Sequence, residues 1–252
     1  MSFGNGRTHY FHADATAIGG HIEKPFVKNV PVQSPVSLAP VGGVTDGNGP
    51  RFEFENVVSV EATRTRVEGH MLGGLATTRM IAQVDQLNVL DRVRAGQLLA
   101  YISTEHPGKD PHVPRVNFGR TSITNLRVDD AQLEVILDLN LLNCGNGNGK
   151  GFPKKPHVQD KKLWKRVDQK FNEKNGHLQC SLVKKINVVQ GKLPGKLVRP
   201  NILEIPDFGR VHLAELIVSY HSFQLIMLRF ELGCPTVGAM SASAGKVNGG
   251  GH

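Results

Sequence analysis

No run of about 18 consecutive apolar residues occurs in the 252 residues, so the sequence predicts no membrane-spanning helix. The start MSFGNGRTHYFHADA lacks a charged n-region followed by an apolar stretch, and no signal peptide is expected there. Cysteine is scarce. Cys144, Cys180 and Cys234 contain no CxxC pair, which removes zinc-ribbon and thioredoxin-like readings. There is no HExxH and no GxSxG, so the commonest zinc-protease and hydrolase signatures are missing too. The run GNGNGKG at Gly145–Gly151 invites a phosphate-loop reading and fails it. No Ser or Thr follows the lysine at the required spacing, and Phe152-Pro153 does not open a helix. Nothing in the sequence calls for a cofactor.

What the chain does have is an ordinary globular balance, with 39% apolar residues and 28 glycines, enough to build a core. The net charge of +8 is concentrated. Between Lys150 and Lys185 stand ten lysines and Arg166 against Asp160, Asp168 and Glu173, and the remainder is formally neutral. Basicity is therefore a property of one segment, and any acidic partner, anionic surface or nucleic acid is expected to meet the protein there.

Period-two alternation dominates the rest. Leu133, Val135, Leu137, Leu139 and Leu141 share one face if the segment is a strand, as do Ile226, Leu228, Phe230 and Leu232. Met80, Ala82 and Val84 alternate with Ile81, Gln83 and Asp85, and Phe52, Phe54, Val58 and Val60 read as further half-buried strands. One-sided patterns fit antiparallel rather than parallel sheets. The stretch Leu87–Ser103 parallels Ile205–Ser222, each a strand, a polar break and a second strand. The fold expected is mainly β, an antiparallel sandwich, with a jelly-roll-like arrangement or a short β-solenoid as alternatives. Residues 1–50, rich in Gly, Pro, Asn and His, are expected to be an irregular arm. Residues 51–240 form one β domain carrying a basic helical insertion over 145–182, and 241–252 a flexible Gly-rich tail. Arm and tail have few means of ordering themselves, which predicts packing against further copies in a homo-oligomer.

Within the insertion Asp160 is a candidate N-cap, Leu163, Val167 and Phe171 recur every fourth residue, and Asn175-Gly176 supplies a left-handed stop. This predicts an amphipathic helix of about four turns. Lys161, Lys162, Lys165, Arg166 and Lys170, with Trp164 for stacking or insertion, are the candidate polyanion-binding residues. In the alternative, Leu163, Trp164, Val167 and Phe171 pack on the β domain and the lysines are its solvated side. Cys144 and Cys180 bracket most of the segment. A disulfide between them would contribute about 3–4 kcal/mol; the other reading is two small buried hydrophobes. The loop TEHPGKDPHVP places Glu105, His106, Asp110 and His112 within eight positions, a candidate metal site or a solvated polar turn.

The stretches AQVDQLNVLDRVRAGQLLAYIS, TSITNLRVDDAQLEV and IPDFGRVHLAELIVSYHSFQLIMLRFELGC resemble the choice-of-anchor P type of bacterial exported β protein, over roughly residues 76–234 around the basic segment. The resemblance implies a structural or adhesive module, exported or displayed at the cell surface. No leader, anchor or matching N-terminal arm is read in this chain, which leaves the location unassigned. Three function classes follow: a self-assembling or surface-displayed interaction module without catalysis, a polyanion-binding protein acting through the basic helix, and an enzyme whose site carries no known signature.

Overall fold

The computed structural model describes residues 9–108, 113–143, 151–167 and 176–248. The chain opens with β1 (Ala13–Lys24), β2 (Lys28–Gln33), β3 (Val36–Ser37), β4 (Gly43–Gly49), β5 (Phe52–Phe54) and β6 (Val58–Val60). Three long strands follow, β7 (Ala62–Leu72), β8 (Leu75–Val89) and β9 (Val93–Pro107). Then come the shorter β10 (Arg115–Asn117), β11 (Ser122–Thr124), β12 (Leu126–Val128) and β13 (Ala131–Leu137), and a helix α1 (Lys161–Arg166). The last part holds β14 (His177–Ser181), β15 (Val183–Gln190), β16 (Lys196–Arg199), β17 (Ile202–Ile205), β18 (Gly209–Ser219), β19 (Ser222–Leu232) and β20 (Val237–Asn248).

Two sheets result. The first runs β16-β17-β18-β19-β20-β1-β2, with β14 beside β18 and β3 beside β1. The second runs β15-β13-β12-β9-β8-β6-β5, with β10 and β11 along β9, and β7 and then β4 along β8. Strands β8 and β9 pack face to face on β19, β20 and β1, burying Met80, Ala82, Leu98, Ala100, Leu225 and Leu228 completely. The expected mainly-β antiparallel sandwich is the fold, and the turn Glu55-Asn56, with both φ near +50°, joins β5 to β6 as a tight hairpin turn requires. A β-solenoid would stack its coils in parallel, whereas every pairing among the described residues is antiparallel.

The termini depart from expectation. Over the described residues, 9–50 are not an irregular arm and 241–248 are not a loose tail, because β1 and β20 pair with each other inside the first sheet, from Ala13↔Val247 to Lys24↔Val237. Their order is thus explained within one chain and needs no second copy. The reason they read as loops is their small residues, which close packing demands. A Cβ on Gly20 would stand 2.4 Å from the Ala239 carbonyl oxygen, and one on Gly245 would stand 2.5 Å from Met80 Sδ in the opposite sheet. Ala13, Ala15 and Ala17 are likewise buried.

A second departure is shared by the long strands. Strand pairing skips one row across the first sheet, that of Ala214, Met227, Ser243 and Ala17, and one position in the second, Gln86 opposite Gly96. Ala214, Ser243 and Gln86 have φ of 45°, 55° and 52°, a left-handed conformation that turns the strand by half a period. The inward phase slips by one residue there. On β18 the inner side chains are Val211 and Leu213, then Leu216 and Val218; on β19 Phe223 and Leu225, then Leu228 and Phe230. Ile226 therefore does not share a face with Leu228, contrary to the unbroken alternation read from the sequence. The two parallel sequence units take corresponding places, Arg92–Leu99 entering β9 and Arg210–Ile217 entering β18, with Gly96 and Ala214 at the slipped rows.

The row of Leu133–Leu141 is a strand only as far as Leu137, after which the Asp138 carboxylate accepts a hydrogen bond from Asn140 N and a 3-10 turn covers Leu141–Asn143. The described parts of the basic segment are packed on the β domain. Val158 and Leu163 are fully buried, and residues 177–181 form β14, paired with β18 from His177↔Ser219 to Ser181↔Glu215.

Ser243 ties the two sheets together. Its hydroxyl donates to Ala82 O at 2.7 Å and accepts from Ala100 N at 3.0 Å. Ser243→Ala removes both bonds in a dry interior, so chemical denaturation should show a loss of roughly 1–3 kcal/mol. The half-exposed Ser241→Ala on the same strand should cost under about 0.5 kcal/mol.

Candidate functional site

The register slip on β18 builds an unusual cluster on the outer face of the first sheet. In a regular strand residues three apart face opposite ways. The left-handed Ala214 between His212 and Glu215 brings both side chains to the same outer face, opposite Arg229 and Ile226 on β19. Arg229 grips Glu215 with two hydrogen bonds, from Nε to Oε2 at 2.6 Å and from Nη2 to Oε1 at 3.1 Å, and also donates from Nη1 to Glu231. Gln179 on β14 adds a third donor to Glu215 at 3.2 Å. His212 Nδ1 stands 2.9 Å from Arg229 Nη2 and 3.2 Å from Glu215 Oε1, and its Nε2 stands 3.2 Å from Glu231 Oε1.

Electrostatics follow from burial and pairing in competition. The Glu215 side chain is 5% exposed. Burial opposes its ionisation, yet hydrogen bonds from His212 and Arg229 and the guanidinium charge outweigh that cost and hold the carboxyl down to about 2. The hydrogen bond to Glu215 outweighs desolvation and raises Arg229 in turn. The network joins β14, β18 and β19 across one surface.

Beside this floor lies an open cleft of about 910 Å3, at the place where the edge of β18 passes from β17 to β14. Leu213 N donates to Asn201 O and Leu182 N to Ala214 O, so both flanking chains are fixed to the slipped segment. Lys184 from β15 and Arg199 from β16 line the cleft together with Arg166, which pairs with Asp138. Among the described residues neither Lys184 nor Arg199 has a carboxylate within ion-pair distance. Among the described residues no Phe, Tyr or Trp lines the cleft.

The sequence candidates are placed as follows. Asp160 caps α1, its carboxylate accepting from Lys162 N at 2.8 Å. The described helix covers Lys161–Arg166, and Lys170, Phe171 and Asn175 lie outside the described residues. Trp164 is not presented for stacking: it packs half-buried on the core and its Nε1 donates to Val158 O at 2.8 Å. Lys161, Lys162 and Lys165 are exposed, whereas Arg166 is tied to Asp138 at the cleft. Just ahead of α1, His157 is buried with its Nε2 3.1 Å from Pro114 O, and burial lowers its pKa.

Glu105 and His106 face opposite sides of β9. Glu105 pairs with Arg115, while His106 is buried with its ring 4.8 Å from that of His9, so the two do not converge on one ion. Asp110 and His112 lie outside the described residues. Cys180 is a free thiol, buried and donating to Leu216 O, with its pKa pushed up to about 12 by burial; Cys144 lies outside the described residues. Cys234 is a free, exposed thiol.

Apart from Arg166 and Cys180, the polar cleft residues were missed because none belongs to a motif. A signal did exist: Glu215 and Arg229 interrupt the apolar runs LAELIV and MLRFEL, and pairing those two strands sets His212 against Arg229.

The fold and site define a two-sheet antiparallel β protein with a polar cleft at one lateral edge. Its sequence matches a family model described as a domain of unknown function (DUF8256) over residues 9–175 and 149–219, and the chain belongs to that family. No curated protein and no solved structure matches it significantly.

Since the folded Glu215 carboxyl is lowered from 4.5 to about 2, its contribution is fully present above the unfolded value and lost as pH falls through the folded one. This amounts to about 3 kcal/mol. Glu215→Gln should therefore be markedly less stable than the wild type at neutral pH in urea titrations, and the gap should close between about pH 4.5 and 2.

Proposed function

We propose that the protein is a non-catalytic interaction module that assembles with copies of itself, head to tail, through the lateral edges of its sandwich. The observation that carries this reading is the edge made by β15 and β16. Val188 and Val189, where the register of β15 shifts, are 48% and 61% exposed, and Leu197 and Val198, where that of β16 shifts, are 45% and 47% exposed. An outermost strand that leaves apolar side chains exposed offers free backbone groups and greasy side chains to another strand. The remaining edges are better protected. Pro31 cannot donate from β2, β5 spans three residues, and β4 is a Gly-rich strand carrying Asp46.

Charge selects the partner edge. Residues 183–199 hold five cations and no carboxylate, while residues 43–61 hold Asp46, Glu53, Glu55 and Glu61 against Arg51, with Asp46 also paired to Arg66 and Glu55 to Lys28. Two basic edges repel each other, but β15 and the β4–β5 side lie at opposite ends of the second sheet. Docking one on the other continues that sheet from copy to copy, a heterologous contact that produces open chains unless its rotation closes a ring. The resemblance to choice-of-anchor P proteins is the ground for placing such a module at an exported or surface location. A second reading, polyanion binding, is favoured by Lys161, Lys162 and Lys165 on the solvent side of the docked helix.

Light scattering and negative-stain microscopy should show association that grows with protein concentration and weakens with salt, as screening of opposed edges requires. Val189→Lys combined with Val198→Lys should give monomers while changing stability by less than about 0.5 kcal/mol per site, because both side chains are exposed. A wild type that stays monomeric at high concentration, or a variant that assembles like it, would overturn the proposal.

A further inference from the structure

The geometry points to the cleft between β14, β15, β16 and β18 as a binding site for a compact, multiply charged oxyanion such as a short polyphosphate or a polycarboxylate. The cleft volume of about 910 Å3 falls within the usual range for ligand pockets. Four permanently cationic side chains, Arg166, Lys184, Arg199 and Arg229, line it against the carboxylates of Asp138 and Glu215. Those two carboxylates are consumed by Arg166 and Arg229. Lys184 and Arg199 are left as the cations without an anion among the described residues, and they come from different strands that flank the same opening.

Both chemistries suit an oxyanion. A guanidinium presents a planar fork that matches two oxygens of phosphate or carboxylate, and an ammonium adds a mobile point charge. With no Phe, Tyr or Trp among the described lining residues, recognition falls mainly to charge and hydrogen bonding. The floor is preorganised. Glu215 and Arg229 saturate each other, and Gln179 bonds to the same carboxylate, so the floor stays fixed while the rim cations have nothing to release before binding. Asn201, whose carbonyl oxygen accepts from Leu213 N, also lines the cleft. The α1 lysines that the sequence singles out lie outside this constellation; of that set, Arg166 lines the cleft.

Lys184 and Arg199 also belong to the basic edge proposed for assembly, so binding is titrated at protein concentrations below those at which copies associate, and its readout differs from that of assembly. Isothermal titration of the full chain with tripolyphosphate at low ionic strength should show one site per chain, weakened by added salt. Lys184→Gln combined with Arg199→Gln should bind at least about tenfold more weakly, as expected for the loss of charge-assisted hydrogen bonds. Lys161→Gln combined with Lys162→Gln should bind as the wild type does. Citrate in place of tripolyphosphate separates the sources: comparable binding assigns a general oxyanion site, and its loss with tripolyphosphate retained assigns a phosphate site; either supports the proposal. Absence of saturable binding, or equal weakening by the two variant pairs, would overturn it, the latter by revealing diffuse attraction to a basic surface.

Discussion

The coherent register slip is the constraint on which the rest of this sandwich depends. One left-handed residue in the middle of a strand would leave that strand out of phase with its neighbours, because every side chain beyond it changes face. The fold tolerates it only because adjacent strands slip in the same row, Ala214 beside Met227, Met227 beside Ser243, Ser243 beside Ala17. The cost of an unpaired row is offset where Ser243 reaches into the other sheet and supplies hydrogen bonds to Ala82 and Ala100. The same slip sets His212 and Glu215 side by side on the outside. Core continuity and the charged floor of the cleft thus share one backbone cause.

That cause also explains which parts of the fold were legible. Met80, Ala82 and Val84 lie on the inner face as their alternation indicated, since the slip on β8 comes after them at Gln86. Alternation through Ile226 and Leu228 misled because the phase changes at Met227 between them. The terminal strands were illegible for another reason. A central strand that must admit Met240 beside Gly20, or Met80 against Gly245, is built from alanine and glycine, residues whose intrinsic preference is for anything but a strand. Their strand character comes wholly from tertiary packing.

The candidate site was illegible in a different way. Charge counting located the excess of cations correctly in the segment ending at Lys185, but it treated that segment as a single helical excursion. In the structure the segment serves three purposes along its length: Val158 and Leu163 enter the core, Lys161, Lys162 and Lys165 remain in solvent, and β14 closes the edge of the first sheet. Trp164, which from sequence could stack on a ligand, has its indole N–H committed to Val158 O. A buried donor that finds its partner within the protein is a packing group, and that one bond decides between the two readings of the tryptophan.

The polar network and the cleft cations then differ in kind, although both are clusters of charge. Glu215 sits where water is largely excluded and stays ionised because Arg229 pairs with it, whereas the guanidinium is charged in any case; removing the arginine leaves a stranded carboxylate. Lys184 and Arg199 are solvated and contribute little to holding the fold. A protein gains no stability from gathering two unpaired cations at one opening, and their mutual repulsion works slightly against it. Stability therefore explains the floor of the cleft and does not explain its rim, which is where a ligand's charge would have an effect.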